Sequence, residues 1–154
     1  MRVALDTNFL LYAEGVNDAA RRDAARSIVM RLPLGETFVP VQVLGELFRV
    51  LTKKAGYAAA AARATVLNLR DIYLPLETAH ENLLSAMDLA CDHQFTIWDA
   101  IIVSTAAEAD CRLLLSEDMQ DGFVWRGLTI VNPFAAVRHP LLEAVLADAD
   151  MSKP

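Results

Sequence analysis

Short uninterrupted apolar runs alternate along the chain with longer stretches in which apolar positions recur every three or four residues. That alternation predicts an α/β fold, a parallel sheet covered by helices on both faces. Val3-Ala4-Leu5 leads into Asp6 and gives a first strand over residues 2–6, followed by a short helix over 8–13. Asn17 is placed to cap a helix reaching about Leu32, with Ile28, Val29 and Leu32 on its inner face. Thr37-Phe38-Val39 reads as a strand, and Pro40 suits the first turn of a helix that runs to about Lys54 and stops at Gly56. An alanine-rich helix over 57–69 precedes a strand over 72–74. Thr78 and Glu81 have capping-box spacing for a helix to about Asp92, and Thr96 and Asp99 stand in a similar relation at the start of a helix over 97–109. Residues 112–116 and 128–131 supply the last two strands.

No internal repeat or low-complexity linker divides the 154 residues. The expected organisation is one domain over residues 1–134 and a tail over 135–154. Leu141-Leu142-Glu143-Ala144-Val145-Leu146 suits a short amphipathic helix, which either packs on the domain or meets a partner, and residues 148–154 read as frayed. Hydrophobic residues make up 55% of the chain. That surplus fits surface covered by a partner or a second copy, and equally a helix-rich core.

No apolar stretch approaches the roughly 18 uncharged residues of a membrane span, since Asp99 and Glu108 bracket one of the longest uncharged segments. Asp6 and Glu14 interrupt the apolar core that a signal peptide requires, so no membrane association and a cytoplasmic location are expected. Cys91 and Cys111 are too few and too far apart for a zinc site, and they read as buried reduced thiols. The net charge of −6 argues against non-specific coating of nucleic acid. With four of those charges in one metal site, however, the global balance is silent on a nucleic-acid substrate. Arg21, Arg22, Arg26 and Arg31 share one predicted helix, and Arg49, Lys53 and Lys54 end another; such groups are most simply solvated faces and helix ends.

Candidate chemistry lies in four acids. Asp6 ends a buried strand, where a charge is costly unless paired or metal-bound, although it also suits an N-cap. Glu46 stands among Val43, Leu44, Leu47 and Phe48, with Arg49 three residues on as an alternative partner. Asp99 is equally a capping acid, and Asp118, with Glu117 and Asp121 nearby, equally a turn acid. Their joint placement carries the weight. Asp6 and Asp118 follow strands at the edge where open α/β sheets bind ligands, and converging carboxylates are most simply neutralised by a hard divalent cation. An enzyme acting on phosphodiesters is the chemistry such a site would serve. His80, His93 and His139 are not needed by it. Trp98 reads as a packing residue, with base stacking open to it if exposed, while Phe123 and Trp125 fall in a predicted loop.

Taken in order, Leu5-Asp6-Thr7-Asn8, Glu46, Trp98-Asp99-Ala100-Ile101-Ile102 and Leu115-Ser116-Glu117-Asp118 resemble the PIN-domain family of nucleases over residues 3–134. The likeness is greatest to the small ribonuclease toxins of bacterial toxin–antitoxin (VapC-type) pairs. The resemblance implies a three-layer α/β/α fold with a central parallel sheet of four to five strands. It also implies Mg²⁺-dependent ribonuclease activity, with Mn²⁺ as the alternative ion, a cognate antitoxin as partner and a homodimer. By motif position Asp6, Glu46, Asp99 and Asp118 form the acidic cluster, Asp6 and Asp99 as ligands and Glu46 and Asp118 as ligands or holders of the cation's water. Asn8 and Ser116 match polar positions that orient carboxylates or water, and Asp121 is a spare acid.

Two rivals are weighed against this. A phosphate-transfer site of the haloacid-dehalogenase kind needs Asp-x-Asp where this chain has Asp6-Thr7-Asn8, and a receiver needs a lysine near the later strand ends, where none stands. A non-catalytic PIN-like module that binds RNA or protein would be favoured by loss of an acid, and none is missing.

Overall fold

Leucine- and valine-rich runs become strands here because they are apolar on both sides and must be covered on both faces. The computed structural model describes residues 1–151. Strands β1 (Val3–Leu5), β2 (Thr37–Pro40), β3 (Leu74–Leu76), β4 (Leu113–Leu115), β5 (Val124–Trp125) and β6 (Leu128–Val131) form one sheet in the order β3-β2-β1-β4-β6-β5. β1, β2, β4 and β6 are buried at every position. β3 and β5 are the edges, where Leu74 and Val124 are exposed and Pro75 leaves the outer rim without a donor.

Among the described residues seven α-helices flank this sheet: α1 (Thr7–Ala13), α2 (Ala19–Val29), α3 (Val41–Lys53), α4 (Ala59–Ile72), α5 (His80–His93), α6 (Ile97–Glu108) and α7 (Pro140–Met151). The expected α/β/α layering holds, with six strands in a mostly parallel sheet. α1 packs on α2 and α3, α3 on α4, and α5 on α6. α6 is buried at every position from Ala100 to Ala107, which explains its lack of an amphipathic pattern.

Several boundaries differ from the sequence expectation, each for a local reason. Asp18, not Asn17, caps α2 by accepting from the Arg21 N–H at 2.8 Å, while Asn17 takes a left-handed φ of +71°. α2 ends at Val29, so Arg31 and Leu32 lie beyond it. α4 continues to Ile72, which moves the third strand two residues on to Leu74. At α5 the Asn82 side chain, rather than Glu81, reaches back to accept from the Ala79 N–H at 2.6 Å, and Thr78 instead meets Thr105. Thr96 does cap α6, accepting from the Asp99 N–H at 3.1 Å.

β5 is the element the pattern misses. Val124 and Trp125 were expected in a loop, yet they pair antiparallel with Thr129 and Leu128 across a two-residue turn. Both turn residues, Arg126 and Gly127, have positive φ, as the favoured hairpin turns require. Cys111 is buried as expected, whereas Cys91 is exposed on α5.

The tail packs on the domain. Leu142, Val145 and Leu146 of α7 are buried, and the Arg31 guanidinium donates to the Leu146 carbonyl at 3.4 Å. The helix continues through Asp148 to Met151, where fraying was expected; residues 152–154 of that expectation lie outside the described residues. No helix among the described residues is long and apolar enough to cross a membrane.

Candidate active site

β1 and β4 are neighbours, but the chain leaves β1 toward β2 and β3 on one side and leaves β4 toward β6 on the other. Their carboxyl ends therefore flank a topological switch point, the crevice where such sheets hold ligands. Register does the rest. Leu5 stands opposite Leu115, so the next residues, Asp6 and Ser116, leave the sheet side by side. The Ser116 hydroxyl donates to Asp6 Oδ2 at 2.7 Å. Asp6 Oδ1 accepts from the Thr7 N–H at 2.7 Å and so caps α1 as well.

The Asp6 carboxylate is buried, with 6% of the residue exposed. Its pKa is pushed up to about 6, chiefly by burial; the bonds from Ser116 and Thr7 oppose the rise, while the charges of Asp99 and Glu46 add to it. The four acids of the sequence argument thus share one electrostatic neighbourhood. Asp118 is raised as well, by burial first and then by the charges of Glu117 and Asp99.

Glu46 reaches the site because β2 passes directly into α3, whose second turn carries it. Its Oε2 accepts from the Thr7 hydroxyl at 3.0 Å and its Oε1 from Gln42 Nε2 at 2.8 Å. Arg49, the alternative partner, forms no ion pair with it. Asp99 lies in the first turn of α6; its N–H is capped by Thr96, and its carboxylate has no hydrogen-bond partner among the described residues. The returning half of a capping box is therefore missing, which leaves this acid free toward Asp6 and Asp118. Asn8 Nδ2 donates to Asp118 Oδ2.

Two neighbouring acids are otherwise engaged. Glu117 is paired with the Arg21 guanidinium, whose Nε lies 2.7 Å from Oε1. Burial first, and then the neighbouring Glu117, raise the Tyr12 phenol's pKa. Asp121 accepts from the Asn132 N–H at 2.8 Å and ties the segment before β5 to the residue after β6, at the open end of that hairpin. His93 packs against Phe123, and His139 Nδ1 accepts from the Leu141 N–H, which leaves both on local duties.

Among the described residues no three His, Cys, Asp or Glu side chains are arranged to hold a metal ion as they stand. Asp6, Glu46 and Asp118 are each held by a neighbouring donor. The donor set nonetheless fits a hard divalent cation, being all oxygen, crowded with like charge and containing one unpartnered carboxylate, Asp99. Thr7, Gln42 and Arg21 are the supporting residues that sequence reasoning missed. Gln42 was findable, lying four residues before Glu46 on one helix face; the Thr7 and Arg21 contacts join segments 39 and 96 residues apart.

No curated protein matches the chain. Among solved structures, Mycobacterium tuberculosis VapC20, a sarcin-ricin loop cleaving toxin, is similar at 21% identity with a TM-score of 0.62, covering 73% of this chain and 86% of its own. A toxin–antitoxin complex from Klebsiella pneumoniae is similar at 17% identity and a TM-score of 0.67, covering 86% of this chain and 98% of its own. DNA-bound VapBC from Salmonella typhimurium is similar at 15% identity and 0.61, covering 84% and 96%. At these identities the likeness is one of fold. A sequence model of the PIN domain matches residues 3–120, most of the chain, and the protein belongs to the PIN-domain family.

Proposed function

We propose that the protein is a divalent-metal-dependent endoribonuclease that hydrolyses phosphodiester bonds of RNA, and that it is the toxin of a toxin–antitoxin pair. The observation that carries this is Asp6 beside Ser116 at the β1–β4 switch point, its pKa pushed up to about 6 chiefly by burial and further by the charges of Asp99 and Glu46. Family membership supports it, as does likeness to toxins and toxin–antitoxin complexes.

Asp6 and Asp99 are assigned as the ligands of Mg²⁺ or Mn²⁺, with Glu46 and Asp118 as further ligands or holders of its water. The cation would supply Lewis acidity to water and to the phosphoryl oxygens. Ser116 and Thr7 orient Asp6, Thr7 and Gln42 orient Glu46, and Asn8 orients Asp118. Crowded carboxylates at a switch-point crevice select a phosphodiester only once neutralised, so the apo site should hold RNA weakly. Unpaired or looped RNA is the substrate class, because bases inside an A-form duplex are out of reach.

The nuclease domain is assigned to residues 1–134, with 135–154 as a C-terminal tail. A cytoplasmic location, a cognate antitoxin and a homodimer complete the assignment. The test is cleavage of RNA with Mg²⁺ or Mn²⁺ and its loss with EDTA and in Asp99→Asn. Cleavage that survives both would reject the metal site. Growth arrest on expression, relieved by a protein encoded beside the gene, tests the toxin role, and light scattering tests the dimer.

The alternative reading is a PIN-like module that binds RNA or protein without catalysis. A Mn²⁺ titration separates the two, since an inert module takes up no ion through these carboxylates.

A further inference from the structure

We propose that the groove beside the acid cluster is a subsite for one unpaired nucleotide of the RNA substrate, with Trp98 stacking on its base and Arg49 holding its phosphate. The groove measures about 820 Å³ and is lined by Val41, Glu46 and Arg49 of α3 and by Thr78, Glu77 and Trp98 across from them. That volume falls within the roughly 300–1,000 Å³ of small-ligand sites. The inference rests on the ribonuclease reading for its ligand, and on independent features for its place.

Trp98 is 57% exposed, and among the described residues it has neither a ring nor a cation against it. Trp125, by contrast, is covered by the Arg126 guanidinium at 4.4 Å. A large apolar face left open at a polar groove is what nucleobases stack on, whatever their identity.

Arg49 is exposed and, among the described residues, pairs with no carboxylate. Arg63, Arg112 and Arg138 likewise pair with no acid among the described residues, but of the four only Arg49 lines this groove, and its natural partner one turn back, Glu46, is taken by Thr7 and Gln42. A free guanidinium forks onto phosphate oxygens.

Both groups are rooted in the elements that carry the acids. Trp98 immediately precedes Asp99 on α6, and Arg49 follows Glu46 on α3. A base on the indole would lie in the groove that Glu46 also lines. Glu77 offers the base an acceptor for its N–H groups. An open indole face and a guanidinium lining one groove match a base and its phosphate, the pairing that an unpaired nucleotide presents.

The test uses the full chain carrying Asp6→Asn, which stops cleavage on the proposed reading, and Trp125→Phe, which leaves Trp98 as the sole indole. A single-stranded RNA octamer should quench the Trp98 emission saturably, and a duplex of the same sequence should not. With labelled octamer, anisotropy should show about tenfold weaker binding for Trp98→Ala, near-native binding for Trp98→Phe, and a salt slope reduced by about one for Arg49→Gln. Circular dichroism checks the fold of each variant. RNA binding without quenching, or binding unchanged in both Trp98→Ala and Arg49→Gln, overturns the subsite. Quenching by a partner protein but not by RNA also overturns it, as a protein-docking groove. Quenching by RNA in a wild-type chain that never cleaves it keeps the subsite and rejects the nuclease; metal-dependent cleavage without quenching does the reverse.

Discussion

Arg21 Nε donates to Glu117 Oε1 at 2.7 Å, one residue before Asp118, and its guanidinium lies 5.7 Å from the ring centroids of both Tyr12 and Phe134. The arginine thus spans α2, α1 and the segment after β6, and it counters one acid at the border of the cluster. Replacing it by methionine keeps the stem on the two rings and frees the Glu117 charge. Arg21→Met should bind Mn²⁺ about threefold more tightly by calorimetry, a partly exposed charge being worth no more. Adding Glu117→Gln should return the affinity to the wild-type value. An unchanged affinity in the single variant would show that Glu117 does not act on the site.

Asp6 gives a stability prediction with a definite sign. Its pKa is raised from 3.8 to about 6, so the folded state holds the proton more tightly than the unfolded chain. The favourable contribution is complete below pH 3.8 and is lost as pH rises through 6. In EDTA at pH 7 Asp6→Asn should therefore be more stable than wild type, by at most about 3 kcal/mol. Denaturant titrations should show the gap closing near pH 4, and adding Mn²⁺ should stabilise the wild type alone.

Ser116 contributes a bond that favours the ionised form of Asp6, and the Met119 N–H leans on the same hydroxyl at 3.3 Å. In Ser116→Ala the carboxyl should hold its proton to higher pH. Cleavage should fall more at pH 6 than at pH 8, so a pH–rate profile shifted to the alkaline side is the expected result. An equal loss at both values would instead mean displaced geometry.

The two thiols should behave differently. Burial pushes Cys111 up to about 12, and Cys91 is exposed. A thiol reagent at pH 8 should titrate one cysteine in the native protein and both in guanidinium.

α7 is stitched to the domain by fully buried Leu142. Leu142→Ala should cost about 3 kcal/mol, as large-to-small core changes do. Melting temperature should drop while metal affinity at the distant acids stays as it is.

Local pattern determined much of this molecule. The short apolar runs before Asp6 and Asp118 are bounded closely enough to read as buried strands, and the positions of both acids beyond their carboxyl ends follow from that. Thr96 before Ile97 set the start of α6, and with it the place of Asp99. These features depend on neighbours within four residues, which is the range over which periodicity and capping act. β5 escaped because two residues carry no period, and its Arg126-Gly127 turn lacks the usual Asn-Gly signal.

Only the tertiary structure decided which ends meet. The Leu5–Leu115 register places Ser116 on Asp6 across 110 positions of sequence, and nothing in either segment alone specifies that pairing. The same holds for charge. Glu46 had a ready partner at Arg49 and took Thr7 and Gln42 instead, while Arg21 crossed 96 positions to Glu117. Helical spacing says which side chains are able to meet. Packing of whole elements decides which of them do, because a carboxylate's partner is settled by where the sheet register and the helix docking bring donors, not by the shortest path along the chain.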